Sequence, residues 1–239
     1  MQVDVWSDVV CPWCFVGLAN LDAALADFDH ADDVEVVLHS YQLDPSAPAR
    51  DDTPLEDLLV RKYGAPREQI RANQQRLVDL GAERGIDFRF EDAIRANTHD
   101  AHRLLHHAAG RGLAMALKQR LGRAYFTEGK LISDHAVLRA EAEAVGLDGE
   151  EVAAVLAGTA HDGEVREDQA RARDLGVTGV PFFVIDGRLG VPGAQPPEVL
   201  LRSLERCWAS RTPPIEVVDA SPDGAVCGPD GCEVPPSPT

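Results

Sequence analysis

Hydrophobic residues open the chain as a tight run and then change their spacing. Val3, Val5 and Trp6 lie in a short apolar stretch over residues 2 to 7, which suits a strand buried in a sheet. From Pro12 the period lengthens. Phe15, Leu18, Leu21, Leu25 and Phe28 recur at three and four and predict a strongly amphipathic helix that fades near Asp29. Val34, Val36, Val37 and Leu38 predict a second strand ending near Tyr41, so the opening reads as β-α-β with parallel strands and a crossover helix. Pro45, Pro48 and Pro54 punctuate a loop. A helical stretch then runs from about Leu55 to about Leu156, with breaks at 64–66, 85–97, Gly110 and 129–134. Thr53-Pro54 marks one helix start, and Asn97-Thr98 and Ser133-Asp134 mark two more. A charged helix from Glu164 to Leu175 leads to a strand at Phe182 to Ile185. Asp186-Gly187 signals a hairpin with Arg188 to Val191 as partner, and a helix from Pro196 to Trp208 follows.

This order is α/β, with a large block of helices inserted after the second strand. The expected divisions are 1–43 and 161–209 for the two halves of the sheet domain, 44–160 for the inserted helices, and 210–239 for a tail. Seven of the 16 prolines fall in that tail, which argues against a packed helix or central strand there.

Composition changes the picture in one respect. The formal charge of −17, with lysine only at 62, 118 and 130, excludes a nucleic-acid-binding surface, which needs clustered cations. No basic and apolar leader precedes the first strand and no run is long enough to span a bilayer, so a cytoplasmic protein without membrane contact is expected. In a reducing compartment a Cys-x-x-Cys reads as catalytic or metal-binding rather than as a staple.

Such a motif stands where the first strand gives way to the first helix: Cys11-Pro12-Trp13-Cys14. Thiol–disulfide exchange proceeds through the thiolate, and the unpaired amides at a helix start favour an anion. Pro12 costs nothing at the first helical position. Cys11 is therefore the expected exposed nucleophile and Cys14 the thiol that resolves a mixed disulfide. Trp13 adds no cation between them, which predicts a less oxidising couple than the strongest disulfide donors, and it offers substrate an apolar contact. Val180-Pro181, read as a cis bond before a buried strand, would present the backbone of Val180 beside Cys11 for an extended substrate to pair with. Asp8, three residues before Cys11, is either a proton relay to Cys14 or a turn former.

Residues 7–17, Asn97-Thr98-His99-Asp100-Ala101-His102-Arg103-Leu104, 125–129 and 176–183 together resemble the FrnE-like branch of the DsbA family, in consistent order over residues 1 to 208. The resemblance implies a thioredoxin fold with a large α-helical domain inserted between its second strand and the returning helix and strand. It also implies dithiol oxidoreductase or isomerase activity on the thiols and disulfides of other proteins, with a redox-active disulfide and no other required cofactor, served by a thioredoxin or glutathione system. Asn97 and His102 enter as pocket-lining residues on the resemblance alone. The same superfamily holds 2-hydroxychromene-2-carboxylate isomerases and kappa-class glutathione transferases, which generally lack the second thiol. A glutathione-dependent isomerase or transferase acting on a small aromatic or polyketide substrate is thus the rival reading, with glutathione as co-substrate. A thiol sensor or zinc-holding module is the third.

Cys227 and Cys232 enclose Gly-Pro-Asp-Gly, a spacing that FrnE-like tails can carry. They read first as an auxiliary redox pair exchanging with Cys11, then as idle thiols, and last as partners of Cys11 and Cys14 on zinc. Cys207 reads as a small core residue. His99, His102 and His106 share a helical spacing but read as structural rather than metal-ligating, so no metal is assigned.

Overall fold

The computed structural model describes residues 1–211 together with the backbone of 227–228 and 231–232. The chain packs as two units, Met1–Ala209 and Ser210–Thr239. In the first, β1 (Gln2–Ser7) is a central strand. It pairs in parallel with β2 (Glu35–Ser40), register Val3↔Val36, and antiparallel with β3 (Phe182–Ile185), register Val5↔Phe183. With β4 (Leu189–Pro192) on β3, the order is β2-β1-β3-β4. This is the thioredoxin arrangement.

Alternation along β1 explains its short apolar run. Val3 and Val5 face the core shared with α1 (Pro12–Ala26) and α9 (Pro197–Ala209), while Trp6 packs on the opposite face with Val177 and Val184. Asp4 is buried within the same strand because His39 on β2 reaches it at 2.7 Å. Helix α1 departs from the expected single apolar stripe. Leu18, Leu21 and Ala24 pack towards the sheet, but Phe15 and Val16 enter a second core made by the inserted helices. Its first turns are buried nearly all round because both cores share them.

The inserted helices are α2 (Leu55–Tyr63), α3 (Arg67–Ala82), α4 (His99–Ala109), α5 (Ala114–Phe126), α6 (His135–Ala144) and α7 (Gly149–Ala157); α8 (Asp162–Asp174) returns the chain to the sheet. Leu104, Leu117, Leu121, Ile132 and Leu138 are fully buried at their centre. The break between α6 and α7 was not legible from the hydrophobic pattern. Gly146 takes a left-handed φ of 98° there, and Asp148 restarts the helix by accepting from the amides of Glu150 and Glu151 at 2.9 Å. The hairpin after β3 includes Arg188, whose amide donates back to Ile185, so β4 begins one residue later than the pattern predicts.

The Phe15 ring, in T-shaped contact with Phe126 at 5.7 Å, lies against Gly122 of α5, where a methyl group would overlap it. Gly122→Ala is expected to cost about 1–3 kcal/mol by overpacking. Urea unfolding checks this; an unchanged midpoint would mean the ring can step aside.

In the second unit, Cys227–Gly228 pairs antiparallel with Gly231–Cys232, placing Cys227 opposite Cys232 in register. Their side chains, and with them the auxiliary-redox, idle and zinc readings, lie outside the described residues.

Candidate active site

Strand β1 ends at Ser7, and Asp8-Val9-Val10 turns the chain so that Cys11 becomes the residue before α1, with φ −96° and ψ 107°. Its amide donates to the Asp8 carbonyl at 3.3 Å. Pro12 begins the helix, and the freed amide of Cys14 donates to the Cys11 carbonyl at 3.1 Å and to its Sγ at 3.3 Å. A cysteine thus occupies the place where a serine or aspartate ordinarily caps a helix. The Val180–Pro181 bond is cis, and the Cys11 thiol reaches the Val180 carbonyl at 3.6 Å. Gly17 lets that loop approach α1: a Cβ there would stand 2.8 Å from Cγ of Pro181. Pro12, Cys11, Trp13 and Val180 line one cleft of about 1180 Å³. Pro181 is buried behind it.

One expectation is corrected here. Cys11 is not exposed; only 3% of its surface is open, because the Val180 loop and the helix cap close around it. Access runs through the cleft, whose far wall is built from Leu55, Leu58 and Leu59 of α2 with Ile70 and Leu77 of α3. Trp13, 37% exposed, stands at its rim. Cys14 is fully buried and does not line the cleft; burial pushes its thiol well above the usual range, and the neighbouring Cys11 adds to this. Both cysteines are free thiols.

Asp8 lies fully buried behind the pair. One carboxylate oxygen accepts from the Val9 amide at 2.8 Å and meets His102 Nε2 at 3.1 Å; the other accepts from the Leu43 amide at 2.8 Å. Burial alone would raise this carboxyl, but His102, the Leu43 amide and Lys118 outweigh it and hold it below the ordinary value. Asp8 is thus held as a carboxylate, and its bonds to the amides of Val9 and Leu43 tie the turn before Cys11 to the loop after β2. His102 is buried with it, and its Nδ1 has no hydrogen-bond partner among the described residues.

Asn97, like His102, is a second correction, because it is not among the residues that line the cleft. Its side chain accepts from the His99 amide at 2.9 Å and donates to the carbonyls of Pro45 and Ala47, tying the loop after β2 to the start of α4. His99, His102 and His106 each meet a carboxylate outside α4: Asp162 and Asp168 of α8 for the first and last, and Asp8 in the turn after β1 for His102. Among the described residues no group of His, Cys, Asp and Glu is placed to hold a metal, and no helix is long and apolar enough to cross a membrane.

Two buried polar residues of α5, Lys118 and Tyr125, were given no role in the site by the sequence reading. Tyr125 lines the cleft, and burial with the charge of Asp8 pushes its hydroxyl up. A signal for both existed: residues 118, 121 and 125 share the helical face that carries Leu121 inward.

Comparison with known proteins agrees with this fold. A probable DsbA oxidoreductase from Streptomyces coelicolor is 44% identical, covers 99% of this chain and 100% of its own, and superposes with a TM-score of 0.86. The cytosolic disulfide reductase DsbM from Pseudomonas aeruginosa is 22% identical, with a TM-score of 0.60 over 87% of this chain and 99% of its own, a likeness of fold. The Bacillus subtilis protein YwbO is 28% identical over 206 residues, 85% of this chain and 96% of its own length. The DSBA-like thioredoxin domain matches residues 2–205, and with a cysteine pair at the head of α1 facing a cis-proline loop, the chain belongs to that family of thioredoxin-fold oxidoreductases.

Proposed function

We propose that this protein is a thiol–disulfide oxidoreductase and isomerase acting on disulfides and thiols of other polypeptides through Cys11 and Cys14. The observation that carries the reading is the placement of both sulfurs on one helical turn, with Cys11 alone reaching the cleft and the Val180 carbonyl 3.6 Å from its sulfur. Cys11 attacks a substrate disulfide as the thiolate and forms a mixed disulfide; Cys14 then attacks Cys11 and releases the substrate thiol. The backbone of Val180 pairs with the substrate chain beside the reacting sulfur, Pro12 and Pro181 shape that contact, and Trp13 covers the substrate at the rim. Cys227 and Cys232 serve as an auxiliary pair that exchanges with Cys11, and a thioredoxin or glutathione system in a reducing, cytoplasmic compartment returns the electrons. Glutathione as direct reductant is favoured by the cleft, which opens on Cys11 and far exceeds the size of one side chain; the Pseudomonas DsbM fold has also been solved with GSH.

Insulin reduction is the test. The wild-type chain is expected to accelerate it with dithiothreitol or glutathione as reductant, and Cys11→Ser is expected to fall to the uncatalysed background. Undiminished activity in Cys11→Ser would remove the assignment.

A further inference from the structure

Charge along the cleft is one-sided. Helix α3 takes up the acids of α2: Arg67 pairs with Asp57 at 2.6 Å and Arg71 with Glu56 at 2.8 Å. Arg61 and Lys62, in the last turn of α2, are left with no carboxylate among the described residues. Arg61 Nε donates to the Asp57 carbonyl at 3.3 Å, and Lys62 Nζ stands 5.8 Å from the centre of the Tyr63 ring. Both cations are exposed and both line the cleft that opens on Cys11. The other charges there are matched: Arg95 pairs with Asp44 and Asp51, and Asp8 is held by His102 and two amides. A helix C-terminus favours cations, which accounts for their place in the last turn but not for their place in the cleft wall without a counter-charge. The same cleft gathers apolar surface. Of the four large apolar side chains exposed among the described residues, Trp13, Leu43 and Tyr63 line it. Leu58 and Leu59 of α2 line it too and belong to no hydrophobic core. Open apolar surface edged by charge marks a binding site. Its volume of about 1180 Å³ exceeds the roughly 300–1,000 Å³ of small-molecule sites and suits a stretch of polypeptide, for which Val180 offers a backbone partner beside Cys11.

We infer that α2 selects the substrate: the preferred disulfide lies in an acidic, apolar segment of polypeptide, whose apolar side chains meet Leu58, Leu59 and Tyr63 and whose carboxylates meet Arg61 and Lys62. This rests on the oxidoreductase reading above and names the class of polypeptide on which that site acts. The charges act on binding, before any sulfur bond is exchanged. A carboxylate meeting one exposed cation gains little in water, because screening and side-chain entropy oppose the pair. Two such pairs together favour an acidic segment over a basic one by roughly fivefold at low salt. The preference is carried by KM rather than kcat, since contacts of this kind hold substrate and transition state alike.

The experiment compares two peptides of one sequence, each closed by a single disulfide, whose flanking residues are glutamate in one and lysine in the other. The full chain reduces them with dithiothreitol as the recycling reductant. The net charge of −17 by itself draws the lysine peptide, so a preference for glutamate arises only from charge at the cleft. The wild-type chain is expected to show a kcat/KM roughly fivefold higher for the glutamate peptide, falling towards equality as salt is added. In the double variant Arg61→Glu with Lys62→Glu the preference should invert. The ratio is read within one sample, so a lower overall activity does not obscure it. Equal rates for the two peptides in wild type, or a glutamate preference that survives the double substitution, would overturn the inference. So would a double variant altered only in its KM for oxidised glutathione, which would assign the two cations to a small thiol. Hydroxyethyl disulfide, small and uncharged, separates this from the wider reading. Its reduction by the wild-type chain upholds the oxidoreductase assignment whatever the peptides show, and its failure to react would remove that assignment and the inference with it.

Discussion

Cys14→Ser is expected to turn the protein from a catalyst into a trap. In the wild-type chain, Cys11 lines the cleft and Cys14 does not, so an incoming disulfide can meet only Cys11. The serine hydroxyl is close in size to the thiol and the amide at position 14 still caps Cys11, so the first attack should proceed. Its product then has no second sulfur behind Cys11 to release it, and with Cys227→Ser and Cys232→Ser added the tail pair cannot release it either. Multiple turnover should fall to a single stoichiometric event, released only by an external thiol, and mixed disulfides should accumulate as species visible on a non-reducing gel. Mass spectrometry of the adducts would identify the captured chains. Continued turnover in Cys14→Ser would contradict the two-thiol mechanism and favour a glutathione-dependent isomerase, which uses one reactive group.

Much of this site was legible because it is built from local signals. Cys11 and Cys14 fall at a change of hydrophobic period, and Val180-Pro181 precedes a four-residue apolar run; both are readable within ten residues of chain. The β-α-β opening and the inserted helices follow from period and turn chemistry in the same way. What escaped depends on distance along the chain. Asp8 meets His102 through its carboxylate and Lys118 through its carbonyl, 94 and 110 residues away, and nothing in the neighbouring sequence announces either partner. The exposure of Cys11 was misread for the same reason, since the residues that enclose it come from the far end of the fold. Helix α1 shows how a pattern can mislead even where the element is right. Asn20 lies off the apolar stripe of Leu18, Leu21 and Leu25, yet it is buried, donates to the Gln195 carbonyl at 3.0 Å and accepts from Arg84 at 2.9 Å. A polar residue satisfied by distant partners looks, in sequence, like the wet side of a helix.

Asp168→Ala is expected to destabilise the chain by about 3–5 kcal/mol, the cost of leaving buried charged partners uncompensated. Asp168 projects from α8 towards β2, where its carboxylate accepts from the Ser40 amide at 2.7 Å and meets His39 Nδ1 at 2.6 Å and His106 Nε2 at 3.1 Å. His39 Nε2 meets Asp4 at 2.7 Å, and the ring stacks on Trp6 with centroids 4.4 Å apart. An imidazole between two carboxylates satisfies both only when it carries both protons. Burial opposes that charge, but Asp168 and Asp4 outweigh it and raise His39 above its ordinary 6.5. Burial would likewise raise Asp168, but His106, His39 and the Ser40 amide hold it far below 3.8. The signs then follow by linkage. The depressed carboxyl contributes stability that is full above its unfolded value and lost as pH falls through the folded one. The raised histidine contributes stability that is full below 6.5 and lost as pH rises through its folded value. The gap between wild type and Asp168→Ala should accordingly be widest between about pH 4 and about pH 6.5 and should narrow on either side. Denaturant unfolding at several pH values measures it, and parallel curves across the range would show that the network is not charged as drawn. The consequence reaches the chemistry, because Ala172 and Val177 beyond Asp168 pack with Trp6 and with Val180, the residue whose carbonyl faces Cys11. Loosening α8 should therefore weaken substrate pairing at Val180 before the chain unfolds, seen as a rise in KM for a peptide disulfide in Asp168→Ala that is largest within that same pH window.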